Sequence, residues 1–133
     1  MDSLSIVRLS CPVPAATRSE SYLPLANDAL LILLALAGGP LHGYGIIRDV
    51  EERSAGETIL QTGALYRMLR RLLRDALIEE CPAPADLDDD DPRRRYYRPT
   101  KLGRQVLDAE VARMSRLVRA ARLTDAGKRP KLI

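Results

Sequence analysis

Four arginines lie close together in one short stretch, at spacings that would place them on one face of a helix. They are Arg67, Arg70, Arg71 and Arg74. An advance of about 100° per residue puts them on one arc, opposite an apolar arc. The apolar arc consists of Leu65, Met68, Leu69, Leu72, Leu73 and Ala76. Asp75 alone offers a counter-charge, so the pattern favours a helix that lies against a polyanion over a merely solvated face.

The start of this helix carries small residues. Thr62 stands where an N-cap would, and Gly63 and Ala64 follow it. Small side chains in the first turn let another surface approach the backbone N–H groups closely. Tyr66 falls at the edge of the apolar arc, where its hydroxyl either reaches outward to a phosphate or packs half-buried.

Composition limits the class of protein. The 133 residues suit one domain, and 46% of them are hydrophobic, but the absence of Phe and Trp makes the core aliphatic. The net charge of +3 is mild, yet from Arg93 onward thirteen lysines or arginines face three acidic residues. Cys11 and Cys81 form neither a metal-binding spacing nor a disulfide framework, which fits a reducing cytosol. We therefore expect no metal and no cofactor.

The N-terminal part is expected to contain a leader and then one very apolar helix. Residues 1–21 show no helical or strand-like period of hydrophobic residues, and they are predicted to be a mobile leader without signal-peptide features. The apolar run at 25–37 is too short to span a bilayer, so we expect a cytoplasmic protein away from membranes. Because residues 29–37 are apolar around the whole helix, a second subunit is the predicted cover.

The remaining pattern predicts helix, turn, helix, hairpin and a long last helix. Ile46, Ile47 and Val50 define a second helix, which precedes the arginine-rich helix. Two short strands at 77–81 and 94–98 flank a loop that holds Asp86 and Asp88 to Asp91. We expect this loop to be solvated, with repulsion of wrong surfaces as an alternative role. Calcium binding is disfavoured, because an EF-hand needs glycine at its sixth position and glutamate at its twelfth, and counted from Asp86 these positions are Asp91 and Tyr97. The helix at 100–123 is predicted to dimerise, and 124–133 to be a flexible basic tail.

Several motifs in this order resemble the PadR-like family of bacterial transcriptional regulators. The resemblance covers about residues 30–123. Three groups of residues carry the resemblance. The first is 33–36 with 39–46, the second is 63–66 with Leu69, Leu72, Leu77 and Ile78, and the third is 95–98 with 100–103. The resemblance implies a mainly α-helical winged helix-turn-helix at 22–99, with a small two-stranded antiparallel wing and a C-terminal dimerisation helix. It also implies a cytoplasmic homodimer that binds double-stranded DNA at a pseudo-palindromic operator, often as a repressor. Thr62 departs from the family, which commonly has proline there.

The implied DNA contacts fall into two groups. For base edges we predict Thr62, Ala64 and Arg67, because the N-terminal turn of a recognition helix approaches the groove floor, and Arg67 could bind guanine bidentately. For the remaining positions we predict backbone contact, and for the wing arginines either backbone contact or entry into a narrow minor groove. Capping or packing is the alternative for His42, and a solvated charge run that includes local ion pairs with the neighbouring aspartates is the alternative for the wing. These positions are His42, Tyr44, Gly63, Tyr66, Arg70, Arg71, Arg93, Arg94 and Arg95.

The predicted dimer interface is apolar. It comprises Leu30, Leu31, Leu33, Leu34, Val106, Met114, Leu117, Val118, Ala121 and Leu123. A protein-interaction adaptor built on the same scaffold is the alternative function. An enzyme is not expected, because the chain has one histidine, no nucleophile motif and no phosphate-binding glycine loop. A small-molecule inducer is left open.

Overall fold

The computed structural model describes residues 19–85 and 93–124. In chain order the elements are α1 Asn27–Ala37, β1 Leu41–His42, α2 Gly43–Arg53, α3 Thr62–Arg74, β2 Ile78–Cys81, β3 Tyr96–Pro99 and α4 Lys101–Leu123. The order confirms the predicted fold class, which is mainly helical with a small antiparallel sheet. The aspartates of the hairpin loop, nearly all of the predicted leader and nearly all of the predicted tail lie outside the described residues.

The sheet has one more strand than the sequence predicted. Its order is β1-β3-β2, and both neighbouring pairs are antiparallel. The short β1 pairs Leu41 with Tyr97 and His42 with Tyr96, so the start of α2 is joined directly to the wing. A strand of two residues shows no alternation, which is why the sequence pattern did not reveal it.

Helix α1 forms the centre of the core. Ile32, Leu33 and Leu36 are completely buried, and α2, α3, β3 and α4 all pack against α1. The expectation that a second subunit must cover this helix is therefore wrong for most of its surface, because the protomer's own elements surround it. Leu33 and Val106, both assigned to the dimer interface from sequence, have no exposed surface and stabilise the core of each protomer.

A buried carboxylate connects α4 to the segment before α1. Glu110 is 1% exposed, and its Oε2 accepts a hydrogen bond from the Leu25 backbone N–H at 2.9 Å. The Arg113 guanidinium donates to both carboxylate oxygens, with Nη2 3.1 Å from Oε2. The Arg113 hydrogen bonds, helped by the Leu25 N–H, lower the pKa of Glu110 although burial opposes them. The charged carboxylate is thus part of the folded structure.

We expect Glu110→Gln to destabilise the fold by about 1–2 kcal/mol at pH 7, because Arg113 loses its charged partner. The native pKa lies below the reference value of 4.5, so this stabilisation is complete above about pH 4.5. It is lost as the pH falls through the lowered native pKa. Urea unfolding of both proteins between pH 3 and pH 7 measures the difference. A difference that does not shrink toward acid pH would contradict the assigned ion pair.

The first turn of α4 is fixed against the link between α3 and β2. The Thr100 hydroxyl donates to the Ala76 carbonyl oxygen at 2.6 Å and accepts from the Gly103 N–H at 3.0 Å. The Thr100 N–H donates to the Leu77 carbonyl oxygen at 3.0 Å. At Gly103 the helix approaches the same carbonyl so closely that an added Cβ would lie 1.9 Å from its oxygen. These contacts set the direction in which α4 leaves the domain.

Candidate nucleic-acid interface

A groove of about 510 Å³ lies between α3 and the wing formed by β2 and β3. Arginines and tyrosines dominate its lining. The lining residues are His42, Gly43, Tyr44, Tyr66, Leu69, Arg70, Leu73, Glu80, Arg93, Arg94, Arg95 and Tyr97. Arg70 of α3 therefore lies on one surface with the three wing arginines, which the sequence predicted as a separate basic group. We call this surface the basic groove.

Helix α3 positions its charges by burying the opposite side. Leu65, Leu69 and Leu72 are buried, whereas the four arginines predicted for the outer face are exposed. The predicted N-cap at Thr62 is wrong by one residue: Gln61 is the N-cap, its side chain makes no capping hydrogen bond, and Thr62 is the first helical residue. Thr62 and Gly63 are exposed at this end, and Ala64 is partly exposed. The first turn is accordingly open to a ligand surface.

The arginines of α3 point in different directions. Arg70 lines the basic groove, but Arg71 lines a small crevice on another side of the helix, with Tyr22 and Asp75. Consecutive helical residues differ by about 100°, which accounts for the separation. Arg67 reaches back over the first turn, since its Nη1 lies 3.5 Å from the position that a Cβ would take on Gly63. Only part of the predicted cationic arc therefore belongs to the groove.

The start of α2 contributes a histidine and a tyrosine. His42 is the N-cap of α2, and its Nδ1 accepts a hydrogen bond from the Gly45 N–H at 3.1 Å. Its ring also packs edge-on against Tyr96, with 5.3 Å between centroids. The capping and packing role that the sequence left open is thus present, although His42 also lines the groove. Tyr44 is 64% exposed, with the Arg48 guanidinium 6.0 Å from its ring centroid.

Tyr66 connects α3 to α2 while keeping part of its ring in solvent. It is 42% exposed, and a Cβ added to Gly43 would lie 2.7 Å from its hydroxyl oxygen. Glycine at 43 therefore leaves room for this hydroxyl. Burial, followed by the nearby charge of Glu80, raises the pKa of Tyr97. A phenol that stays protonated can donate a hydrogen bond to an anionic oxygen.

Two ion pairs cross the wing, and one of them belongs to the groove. Glu80 Oε1 lies 3.3 Å from Arg95 Nη1, and both residues line the basic groove. Glu79 Oε2 lies 2.9 Å from Arg98 Nε, and neither of these residues lines it. Side chains of successive strand residues point to opposite faces, which explains the division. Glu80 was not predicted from the sequence, although glutamates opposite arginines across a predicted hairpin are a recognisable cross-strand signal.

A second, apolar surface lies on the outer half of α4. Among the described residues from 111 onward none is buried, and Met114, Leu117 and Val118 are between 41% and 56% exposed. A groove of about 570 Å³ runs between this half of α4 and α1. It is lined by Leu30, Leu34, Val111, Met114, Ser115, Val118, Arg119, Arg122 and Leu123. We call the apolar residues that line this groove the apolar stripe, and in the isolated protomer they remain accessible to water.

Membrane-spanning and metal-binding features do not occur in the part of the chain that the structure describes. Within 19–85 and 93–124, no helix combines the length and the apolar character that crossing a bilayer requires. Within the same two ranges, no three His, Cys, Asp or Glu side chains come together in a way that could hold a metal ion.

Solved structures with this fold come from several bacteria. A transcriptional regulator from Clostridium thermocellum is 19% identical, with a TM-score of 0.58 over 84% of this chain and 97% of its own. A PadR family transcription regulator from Clostridium difficile R20291 is 22% identical, with a TM-score of 0.59 over 74% of this chain and 97% of its own. Bacillus subtilis PadR, solved in complex with operator DNA, is 22% identical, with a TM-score of 0.51 over 62% of this chain and 45% of its own. These similarities show the fold.

Sequence comparison gives the family. A curated relative, an uncharacterised 37.1 kDa protein in transposon TN4556 of Streptomyces fradiae, is 38% identical over 92 residues. The match covers 68% of this chain but only 24% of that protein, so the chain spans about a quarter of the relative's length. The family model described as "Transcriptional regulator PadR-like family" matches residues 32–109, which include the second half of α1, all of α2 and α3, the sheet and the first part of α4. The chain therefore belongs to the PadR-like family of transcriptional regulators.

Proposed function

We propose that this protein is a sequence-specific regulator that binds duplex DNA as a homodimer and represses transcription in the cytoplasm. The observation that carries the proposal is the basic groove, where Arg70 of α3 and the wing arginines line one surface. Arginines on such a surface neutralise phosphates and release counterions, which supplies most sequence-independent affinity for DNA. The operator complex of Bacillus subtilis PadR, a member of the same family, supports this assignment.

Sequence reading belongs to the exposed start of α3. Thr62, Gly63 and Ala64 present little bulk there, and the side chain of Arg67 lies across the first turn. A helix inserted by its N-terminal turn brings such residues to the base edges of the major groove, and Arg67 can pair bidentately with guanine. Tyr44, Tyr66 and His42 line the basic groove and are assigned to the DNA backbone.

The apolar stripe on α4 is assigned to the dimer. Met114 and Val118 are four residues apart and half-exposed, so two copies can pack these helices together and exclude water from both. Leu30 and Leu34 of α1 continue the same surface. We assign Leu31, Leu117, Ala121 and Leu123 to the same interface. A two-fold dimer presents two recognition helices and so selects a pseudo-palindromic operator.

The structure offers a matched pair of variants to test DNA binding. We expect Arg70→Ala to weaken binding to duplex DNA several-fold at about 50 mM salt and to reduce the log–log salt slope by about 0.9 for each phosphate that is no longer neutralised. Arg71→Ala removes the same charge one residue away, on the side that lines the crevice. It should change affinity and slope much less. Fluorescence anisotropy with a labelled duplex, across several salt concentrations, gives both quantities.

Two outcomes would contradict the proposal. Equal losses for the two variants would show that only the overall charge matters and that the basic groove is not the contact surface. Absence of duplex binding by the unmodified protein at low salt would remove DNA as the partner and favour a protein-interaction adaptor on the same scaffold.

A further inference from the structure

We infer that Glu80 is a built-in competitor of the DNA phosphate for Arg95, and that it limits how tightly the protein binds DNA of any sequence. The inference rests on the proposed DNA-binding function and adds a residue to it. Among the residues described as lining the basic groove, Glu80 is the one with a negative charge. A carboxylate on a surface meant for a polyanion works against binding unless it has a second role.

The geometry pairs Glu80 with Arg95 across the wing. Its Oε1 lies 3.3 Å from Arg95 Nη1, and the side chains are 50% and 74% exposed. A pair so accessible to water is weak and opens easily. Burial first, and then the nearby Glu80 carboxylate, raises the pKa of the Tyr97 phenol. Glu80 therefore occupies Arg95 in the free protein without holding it permanently.

The consequence is a change in how Arg95 contributes to binding. When an arginine without a protein counter-ion neutralises a phosphate, the DNA releases condensed cations. Each such contact contributes about 0.9 to the log–log salt slope of binding. An arginine already neutralised by Glu80 exchanges one anion for another and contributes much less. The exchange also leaves the Glu80 carboxylate beside the phosphates. Arg95 then adds little to loose electrostatic binding, so base contacts made by α3 decide more of the total affinity.

The neighbouring pair provides the control. Glu79 pairs with Arg98 at 2.9 Å, and its side chain is 48% exposed, close to the exposure of Glu80. Glu79→Gln removes one negative charge, as Glu80→Gln does. Neither Glu79 nor Arg98 lines the basic groove. A comparison of Glu80→Gln with Glu79→Gln therefore separates the local competition from the general effect of one fewer negative charge.

The test is duplex binding by the full chain, with a random-sequence DNA probe, at salt concentrations between about 50 and 200 mM. We expect Glu80→Gln to tighten binding by about fivefold for each docked protomer at the lowest salt, near the upper limit for an exposed ion pair. The log–log slope should become steeper by up to about 0.9 per protomer. Glu79→Gln should show less than half of either change. Thermal unfolding of all variants checks that both substitutions leave the fold intact.

A double-mutant cycle identifies Arg95 as the residue that Glu80 restrains. Arg95→Gln should weaken binding only slightly when Glu80 is present, and several-fold more in the Glu80→Gln background. Equal effects in both backgrounds, or weaker binding by Glu80→Gln alone, would overturn the inference and make Glu80 a residue that positions the wing. If the unmodified protein and every variant fail to bind duplex DNA, the proposed function itself fails. If the unmodified protein binds duplex DNA but Glu80→Gln does not bind more tightly, the inference about Glu80 is wrong and the proposed function stands.

Discussion

Val118→Asp should convert the proposed dimer into monomers at micromolar concentration. Val118 is 50% exposed on the apolar stripe and lines the groove between α1 and α4. In the proposed dimer the new carboxylate would be buried in an apolar interface in both copies, without a partner. We expect the dissociation constant to rise by at least about 100-fold, which corresponds to about 2.8 kcal/mol. Analytical ultracentrifugation over a range of concentrations measures it directly.

Ala120→Asp is the matched control for this variant. Ala120 is an exposed residue of the same part of α4, and it lies about 200° around the helix from Val118. It should remain dimeric, because its carboxylate stays in water. If Val118→Asp dimerises with an unchanged dissociation constant, this face of α4 is not part of the interface. Because operator binding by a dimer depends on both recognition helices, Val118→Asp should also bind DNA far more weakly than Ala120→Asp does.

Gly103→Ala should be among the most destabilising single substitutions in the chain. The added Cβ would lie 1.9 Å from the Leu77 carbonyl oxygen and 2.9 Å from its carbonyl carbon. Both atoms belong to the backbone, so the clash cannot be relieved by a side-chain rotation. We expect a loss of about 3 kcal/mol or more in the free energy of unfolding, at or beyond the upper end for overpacking. Chemical denaturation monitored by circular dichroism gives the value.

Gly63→Ala is the control, because it makes the same chemical change in the first turn of another helix. The nearest atom to its added Cβ is Nη1 of the flexible Arg67 side chain, at 3.5 Å, which is an ordinary contact. Alanine also favours the helix over glycine by up to about 1 kcal/mol. We expect equal or greater stability for this variant. Equal stability of Gly103→Ala and Gly63→Ala would contradict the close packing of α4 on Leu77.

Much of the fold followed from local patterns. The apolar spacing of α3 predicted which of its side chains are buried, since Leu65, Leu69 and Leu72 lie in the core. The two longer strands and the long last helix were also expected, because their hydrophobic periods and flanking prolines act within a few residues. The family resemblance then supplied the order in which these elements are assembled.

The features that were missed depend on contacts between distant segments. The cover of α1 by its own protomer, the contact of Gly103 with Leu77 and the bond from Leu25 to Glu110 all join residues far apart in the sequence. A helical wheel likewise treated Arg70 and Arg71 as equivalent. Their difference appears only when the wing is placed on one side of α3 and the Tyr22 segment on another.

Binding of duplex DNA with sequence preference is the property that the basic groove is proposed to provide. The most direct test selects preferred duplexes from a random pool with the unmodified protein, and then compares their affinity with that of unselected DNA. We predict about 1,000-fold or more tighter binding to the selected duplex at physiological salt. We also predict a log–log salt slope of about −3.6 or steeper, because about two phosphates per protomer in a dimer contribute about 0.9 each. Equal affinity for selected and unselected DNA, or no dependence on salt, would contradict the proposed function.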